Sequence, residues 1–424
     1  MAESPVSPQV FKIDITSLDI ESCHHEDTLP DINIPVHQNP LVSIVIPSYG
    51  NLKYTLNCLR SLTNMKNTTS FEIIIVDDCS RDPLTFSVLK EIRNIRVFQM
   101  QENSQFSKVC NFGASMSEGD FILLLNNDTY VGDNFLGNLV ETFDFFENCG
   151  AVGGRLWYDD GTLQESGGMV FRDGSAWNVG KTLEKAEELS LLRYAREVDY
   201  CSGACLMVPA SIWKECGGLD DGTFKAYCED SDLCFRISQK GYKVMVQPHS
   251  NVVHYEGKTN STDEADVSSG KYLQVLNSEK FKSRWEKELS KRPVHPSCLD
   301  DVYGINKKRN PVYFDRMAPG NVLFITPWAP EWKRCGCSFH WVVMFKELVK
   351  RGISVTHISD NGTYMEHTSK ALEKWGVRCV SGIQTHDFLQ KENHFDVIVI
   401  NLLDSCKNID SIRNFAPHAM LVYH

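Results

Sequence analysis

The sequence predicts an α/β fold with a mostly parallel sheet, and three observations predict it. Short uninterrupted apolar runs, VSIVI from Val42, FEIIIV from Phe71 and FILLL from Phe121, read as strands buried on both faces. Helical periodicity fills the intervals, beginning with Leu52, Leu56, Leu59 and Leu62. The strands end in polar residues: Pro47-Ser48-Tyr49, Asp77-Asp78 and Asn126-Asn127-Asp128. In open parallel sheets ligands bind beyond the carboxyl ends of the strands, so these three ends together mark one candidate site. Asn and Asp also favour turns and caps, so any one end alone would say little.

The elements follow in order. Residues 1–40 are polar and broken by Pro5, Pro8, Pro30, Pro35 and Pro40, which suits a leader or loosely docked arm. After the second strand a helix opens at Pro83, with Leu84, Val88 and Ile92 on one face, and IRVFQM is the third strand. A helix over Ser107 to Met116 leads into FILLL. Beyond Asn138 the alternation loosens: CGAVGGRLWY and SGGMVFRDGS read as strands, Glu184 to Arg196 as a polar helix, and YCSGACLMVPA as a strand entering a helix. A helix from Glu229 stops before Gly241 with Leu233 and Ile237 inward, followed by YKVMV and, beyond it, His254.

With 424 residues the chain exceeds the roughly 250–300 at which a single core stops growing, so more than one domain is expected. Residues 41–260 form the first, 261–318 a charged helical extension or linker with a helix around Leu273 to Leu289, and 319–424 a second strand-helix alternation. The last carries NVLFITP, GISVTHIS, VRCVSG, FDVIVINLL and HAMLVYH, a partial Rossmann-like pattern without a G-x-G-x-x-G fingerprint.

Composition narrows the function. A net charge of -12 and a pI near 5.6 exclude a basic field for nucleic acid. No apolar run approaches the ~18–20 residues that span a bilayer, so the chain reads as cytoplasmic, with peripheral contact at the inner face of a membrane left open. Fifteen cysteines, Cys58, Cys110 and Cys406 among them, show no paired-spacing framework and read as reduced thiols, several of them buried. Cys335 and Cys337 with His340 make half a metal corner with no second ligand pair, short of the four that structural zinc takes.

VSIVIPSYGN, EIIIVDDCS, ENSQFSKVCNFG, GDFILLLNNDTYV, YCSGACLMVPASIWKECGGLDD and YCEDSDLCFRISQKGYKV with VVHYEG follow one another over residues 41–260. As an ordered set they resemble the family 2 glycosyltransferases, inverting nucleotide-sugar enzymes of GT-A fold, and the rhamnosyltransferase-like branch in particular. Residues 319–424 resemble the opening half of a GT-B glycosyltransferase domain, without the second lobe in which such enzymes bind donor.

The resemblance assigns Pro47, Ser48, Tyr49, Asp77 and Asp78 to donor recognition, where a carboxylate can accept the imide N–H of uracil or thymine. Asn103 and Asn111 are carried over as donor contacts, although Ser104-Gln105 stands where the family has a Gly. The triplet Asn126-Asn127-Asp128 occupies the place of the family's Asp-x-Asp signature, so Asp128 is implied as a metal ligand, with Asn126 and Asn127 offering carbonyl oxygens or sugar hydrogen bonds. His254 matches a position that completes the metal site, and an imidazole ligand admits Mn²⁺ beside Mg²⁺. His249 is its neighbour without the Tyr-Glu-Gly context. Glu229-Asp230-Ser231-Asp232 resembles the Glu-Asp-x-Asp motif, in which Asp230 is the base; Glu229 assists it, and Gly203 and Asp232 contact or orient the acceptor. Acids in a first helical turn also complement the helix dipole, worth ~0.3–1 kcal/mol each.

The expectation is a metal-dependent inverting transferase moving a sugar from a UDP- or dTDP-sugar, rhamnose favoured, to a hydroxyl of a saccharide or lipid-linked acceptor. The alternative is a catalytically silent nucleotide-sugar-binding or scaffold module. Glycoside hydrolysis, which needs two carboxyl groups flanking the bond and no nucleotide site, ranks below both.

Overall fold

The computed structural model describes residues 32–181, 190–255, 270–295, 318–332, 336–360, 362, 364–400 and 406–424. Residues 1–31 of the expected arm, 184–189 of the expected polar helix, Cys335 and most of the expected 261–318 linker lie outside them.

The strands are β1 (Val42–Ser48), β2 (Phe71–Asp77), β3 (Arg96–Gln99), β4 (Phe121–Leu125), β5 (Thr129–Val131), β6 (Cys149–Trp157), β7 (Leu163–Glu165), β8 (Gly168–Val170), β9 (Ala176–Asn178), β10 (Arg196–Glu197), β11 (Cys205–Pro209) and β12 (Lys243–His254). Between and after them run α1 (Leu52–Asn64), α2 (Pro83–Glu91), α3 (Gln105–Ser115), α4 (Phe135–Phe145), α5 (Ala210–Cys216), α6 (Glu229–Gln239) and α7 (Gly270–Leu289). Ten of the strands form one sheet in the order β10-β12-β6-β11-β4-β1-β2-β3, with β5 on β12 and β7 on β6. The run β4-β1-β2-β3 is parallel; β4, β1 and β2 are buried on both faces as their continuous apolar runs require, and β3 is a partly exposed edge strand. This is the α/β architecture with a mostly parallel run of strands that the sequence predicts.

The chain leaves β1 for β2 and β3 on one side and returns to β4 on the other, so the strand order reverses between β1 and β4. That reversal opens a crevice at their carboxyl ends. Two antiparallel strands then bring distant residues to it. β11 lies against β4 with Cys205 opposite Leu125, and β12 lies against β5 with His254 opposite Thr129.

Two expectations are corrected. On α2, Ile92 is buried and Val88 packs against the core as expected, but Leu84 is exposed, and Thr85 and Leu89 are the buried positions within the helix, whose start is fixed by Asp82 accepting from the Leu84 N–H at 3.0 Å. The described end of the expected 184–196 helix is a 3₁₀ turn, Ser190–Leu192, followed by β10. Burial of the apolar Leu191 and Leu192 pins that turn to the core in place of a solvated helix. Cys58 and Cys110 are free and buried, and burial pushes the Cys58 thiol up to about 12; Cys406 is exposed.

A second, fully parallel sheet has the order β15-β14-β13-β16-β17, from β13 (Asn321–Thr326), β14 (Ser354–Ser359), β15 (Val377–Val380), β16 (Val397–Ile400) and β17 (Met420–Tyr423). Its helices are α8 (Gly336–Lys350), α9 (Glu366–Lys374), α10 (Thr385–Lys391) and α11 (Ile409–Phe415). The two sheets share one continuous apolar core, in which Phe146, Cys149 and Ala195 meet Val349, Leu372 and Val377. At the junction Gly376, at φ +84°, lets the backbone pass where a Cβ would lie 3.0 Å from the Phe146 ring. The buried Glu373 carboxylate binds Arg193 Nε at 2.9 Å and accepts from the Tyr364 hydroxyl at 2.9 Å.

Candidate active site

A cleft of about 1170 Å³ lies over the strand reversal, lined by Ser48, Tyr49, Asp78, Asn126, Asp128, Glu229, Asp230 and His254 among others. It forms because β4, β5, β11, β12 and the start of α6 all end at this edge of the sheet.

The β4–β5 turn carries Asn126, Asn127 and Asp128, each tied down differently. Asn127 donates to Thr55 Oγ1 on α1 at 3.0 Å. Asp128 faces His254, with Oδ1 3.2 Å from Nε2, and the Asp128 carbonyl accepts from Tyr255 N at 3.0 Å. Asn126 places its amide nitrogen 3.2 Å from the same His254 Nε2, while its Oδ1 is buried with no partner. The other imidazole nitrogen, Nδ1, lies 2.9 Å from Gln164 Oε1 on β7.

The opposite wall is the first turn of α6. Tyr227 and Cys228 precede it with φ of +65° and +67°, a pair of non-glycine residues in the left-handed region at a cost of about 1–3 kcal/mol each. This forced turn aims Glu229 and Asp230 into the cleft. Asp230 Oδ2 accepts from Gly203 N at 3.0 Å, and Oδ1 from Ser231 N at 2.6 Å and Ser231 Oγ at 3.2 Å. Burial raises the Asp230 pKa above the ordinary carboxylate range, with those hydrogen bonds opposing it. Glu229 is pushed well above that range, first by burial and then by the charge of Asp230, and its Oε2 has no partner. The two neighbouring acids therefore differ: the less satisfied one holds its proton more tightly.

Gly203 stands between Phe106 and Asp230, where an added Cβ would make only ordinary contacts at 3.4 and 3.7 Å. Asp78 accepts from Ser104 N at 2.6 Å and Gln105 N at 2.9 Å, ordering the loop that carries Asn103 into the cleft. Gln105 has φ +65°, so the backbone adopts there the conformation a glycine would take freely.

Asp77, Asn111 and Asp232 are not among the cleft-lining residues. The Asp77 carboxylate binds Ser80 and accepts from Gln99 Nε2 at 2.9 Å. Asn111 closes the 219–221 turn, donating to Leu219 O at 2.8 Å and accepting from Leu219 N at 2.9 Å. Asp232 accepts from Trp285 Nε1 and Arg284 at 3.0 Å each and from Arg236 Nε at 2.7 Å, tying α7 to α6. His249 lies at the sheet junction, 3.5 Å from Glu373.

Sequence reasoning missed Gln164, Glu165, Tyr200 and Ser202. Glu165 lines the cleft and accepts from Ser202 N at 2.9 Å. The available signal was the polar pair Gln164-Glu165 beside Gly167-Gly168 in a segment that is otherwise buried. Two walls of the cleft also come from α7, through Ser278 and Lys282, and from the 173–175 turn that touches Lys282.

A divalent cation fits the residues at the triplet. A carboxylate oxygen and an imidazole nitrogen face one another, and a buried amide oxygen beside them lacks a partner among the described residues. Among the described residues no three His, Cys, Asp or Glu side chains converge, so the protein supplies a partial coordination shell, as is usual where substrate phosphates complete it. No helix among the described residues is long and apolar enough to cross a membrane.

Residues 43–215 match the model of "Glycosyl transferase family 2". The O-antigen biosynthesis protein RfbC of Myxococcus xanthus is 26% identical over 238 residues, 55% of this chain and 18% of its own length. The N-acetylglucosaminyl-diphospho-decaprenol L-rhamnosyltransferase of Mycobacterium tuberculosis is 24% identical over 247 residues, 53% of this chain and 79% of its own. A crystal structure of GalNAc-T7 with UDP, GalNAc and Mn²⁺ superposes at TM-score 0.47 and 17% identity, covering 58% of this chain and 49% of that one. The chain spans less than a third of the length of the first curated relatives it matches. Residues 43–215, with the cleft they help to build, belong to glycosyl transferase family 2.

Proposed function

We propose that the protein is an inverting glycosyltransferase that moves a sugar from a UDP- or dTDP-sugar to a hydroxyl of a saccharide or lipid-linked acceptor, using Mn²⁺ or Mg²⁺. The observation that carries this reading is the facing of Asp128 and His254 across one cleft from Asp230 and Glu229. Rhamnose is the favoured sugar, supported by the likeness to an L-rhamnosyltransferase, and the lipid diphosphate in that relative's name supports a lipid-linked acceptor met at a membrane surface.

Asp128 and His254 would hold the cation, which supplies positive charge to the departing diphosphate. Ser48, Tyr49, Asp78 and Asn103 receive the nucleotide at the ends of β1 and β2, with Asp78 fixing the Asn103 loop. Asp230 takes the acceptor proton as attack proceeds: its raised pKa brings it nearer neutrality while Gly203 and Ser231 hold its anion in place. Glu229, whose proton burial and the Asp230 charge hold more tightly, donates a hydrogen bond to a sugar oxygen, and the two acids thereby divide their roles. Asp77, Asn111 and Asp232 act by holding the loops around the cleft.

Purified protein with Mn²⁺ and a panel of nucleotide sugars should release nucleoside diphosphate, whereas Asp230→Ala should bind donor without turnover. Donor binding with no release from any member would favour the silent-module reading, whose support is the single carboxylate in the triplet.

A further inference from the structure

The segment after β6 contributes a residue that none of the expected motifs contains. Gln164 lies on β7, which pairs with β6, and is buried, so its side chain is held by the sheet rather than by a loop. Its Oε1 is 2.9 Å from His254 Nδ1, and with the amide in this orientation, in which its oxygen can only accept, the pairing calls for a proton on Nδ1. On the ring's other side the Asn126 amide nitrogen is 3.2 Å from Nε2, and an amide N–H can only donate, so Nε2 presents a lone pair. In that tautomer the lone pair faces Asp128 Oδ1 at 3.2 Å, an arrangement of two electron-rich atoms that a cation would complete. An imidazolium would instead require Asn126 to turn its amide over.

We propose that Gln164 is a positioning residue that locks His254 as its Nδ1–H tautomer and so aims the Nε2 lone pair, with Asp128, at a divalent cation. The cation part rests on the reading given above; the tautomer part stands on this geometry alone. Outer partners of a metal-ligating histidine typically change metal affinity by about 10–100-fold when lost.

Two measurements test it. Long-range ¹H–¹⁵N NMR of the metal-free protein at pH 7.5, with His254 assigned by its loss in His254→Asn, should show the Nδ1–H pattern in the native protein and in Gln164→Glu. In Gln164→Leu it should move to a mixed or Nε2–H pattern. Mn²⁺ titration followed by EPR in the presence of UDP should then weaken about 10–100-fold in Gln164→Leu, while Gln164→Glu retains binding. An Nε2–H tautomer or an imidazolium in the native protein would overturn the proposal. So would an unchanged tautomer in Gln164→Leu, or equal loss of Mn²⁺ in both Gln164 variants, which would point to packing. If Asp128→Ala binds Mn²⁺ as the native protein does while Gln164→Leu still shifts the tautomer, the cation reading fails and tautomer control stands.

Discussion

The mixed first sheet and the parallel second sheet treat the polar residues at their strand ends in opposite ways. In the second sheet they satisfy one another. Thr326 Oγ1 donates to Trp328 O at 2.7 Å and meets His357 Nε2 at 2.7 Å, and Asp360 accepts from Asn408 at 2.7 Å and from Thr385 at 3.3 Å. In the first sheet Asn126 Oδ1 and Glu229 Oε2 are buried with no partner among the described residues, and His254 Nε2 lies 3.2 Å from the Asp128 carboxylate. Buried polar atoms without partners cost about 1–3 kcal/mol each, so the two that line this cleft mark where a ligand would complete the structure. The same α/β pattern thus carries a reactive edge in one half and a closed one in the other.

That contrast is breakable. Asp230→Asn should lower donor turnover by about 10²–10⁴-fold, the usual weight of a general base, with UDP binding retained. Asp360→Asn, its counterpart in the second sheet, should cost stability and leave turnover unchanged; a comparable loss of turnover there would dissolve the distinction.

The junction comes next. Removing one partner of a buried ion pair typically costs about 3–5 kcal/mol, so Glu373→Ala should lower the unfolding free energy by that order in urea. Because the core runs through both sheets, it should do so in a single transition; two separate transitions would show that the halves fold apart.

His357 sharpens the contrast with His254. Burial drives its pKa from 6.5 down to about 4, so the folded state keeps it neutral. Its contribution is complete above pH 6.5 and is lost as pH falls toward 4, on the order of 3 kcal/mol. His357→Phe should flatten the acid limb of the stability profile, and an unaltered limb would refute the assignment.

The smallest effect concerns Glu229. Its folded pKa is raised, so its contribution is full below the unfolded carboxylate pKa and declines as pH rises toward the folded value. Glu229→Gln should therefore gain in Tm relative to the native protein as pH increases from 4 to 8. A parallel offset at every pH would mean that the carboxyl is not held neutral.

The strands were legible because burial on both faces writes them as unbroken apolar text, as in FEIIIV and FILLL. The carboxyl-end rule pointed from there to the edge where Asp128, Asp230 and His254 line one cleft. What sequence could not separate was a carboxylate that lines the cleft from one turned away from it. Asp77 and Asp78 are adjacent and look alike, yet Gln99 occupies the first while the second lines the cleft. Asp232 sits two residues from Asp230 and is claimed by Arg284 and Trp285, more than fifty residues away. Gln164 was hidden for the same reason, since its partner lies 90 positions downstream and no local period announces the pairing.

The apolar seam joining the sheets has a practical corollary. A truncation placed after α7 would strip cover from Phe146, Cys149 and Ala195 and leave a greasy scar on the catalytic half. Attempts to trim the chain to its first sheet should therefore expect aggregation, because the apolar surface that the second sheet covers would face water.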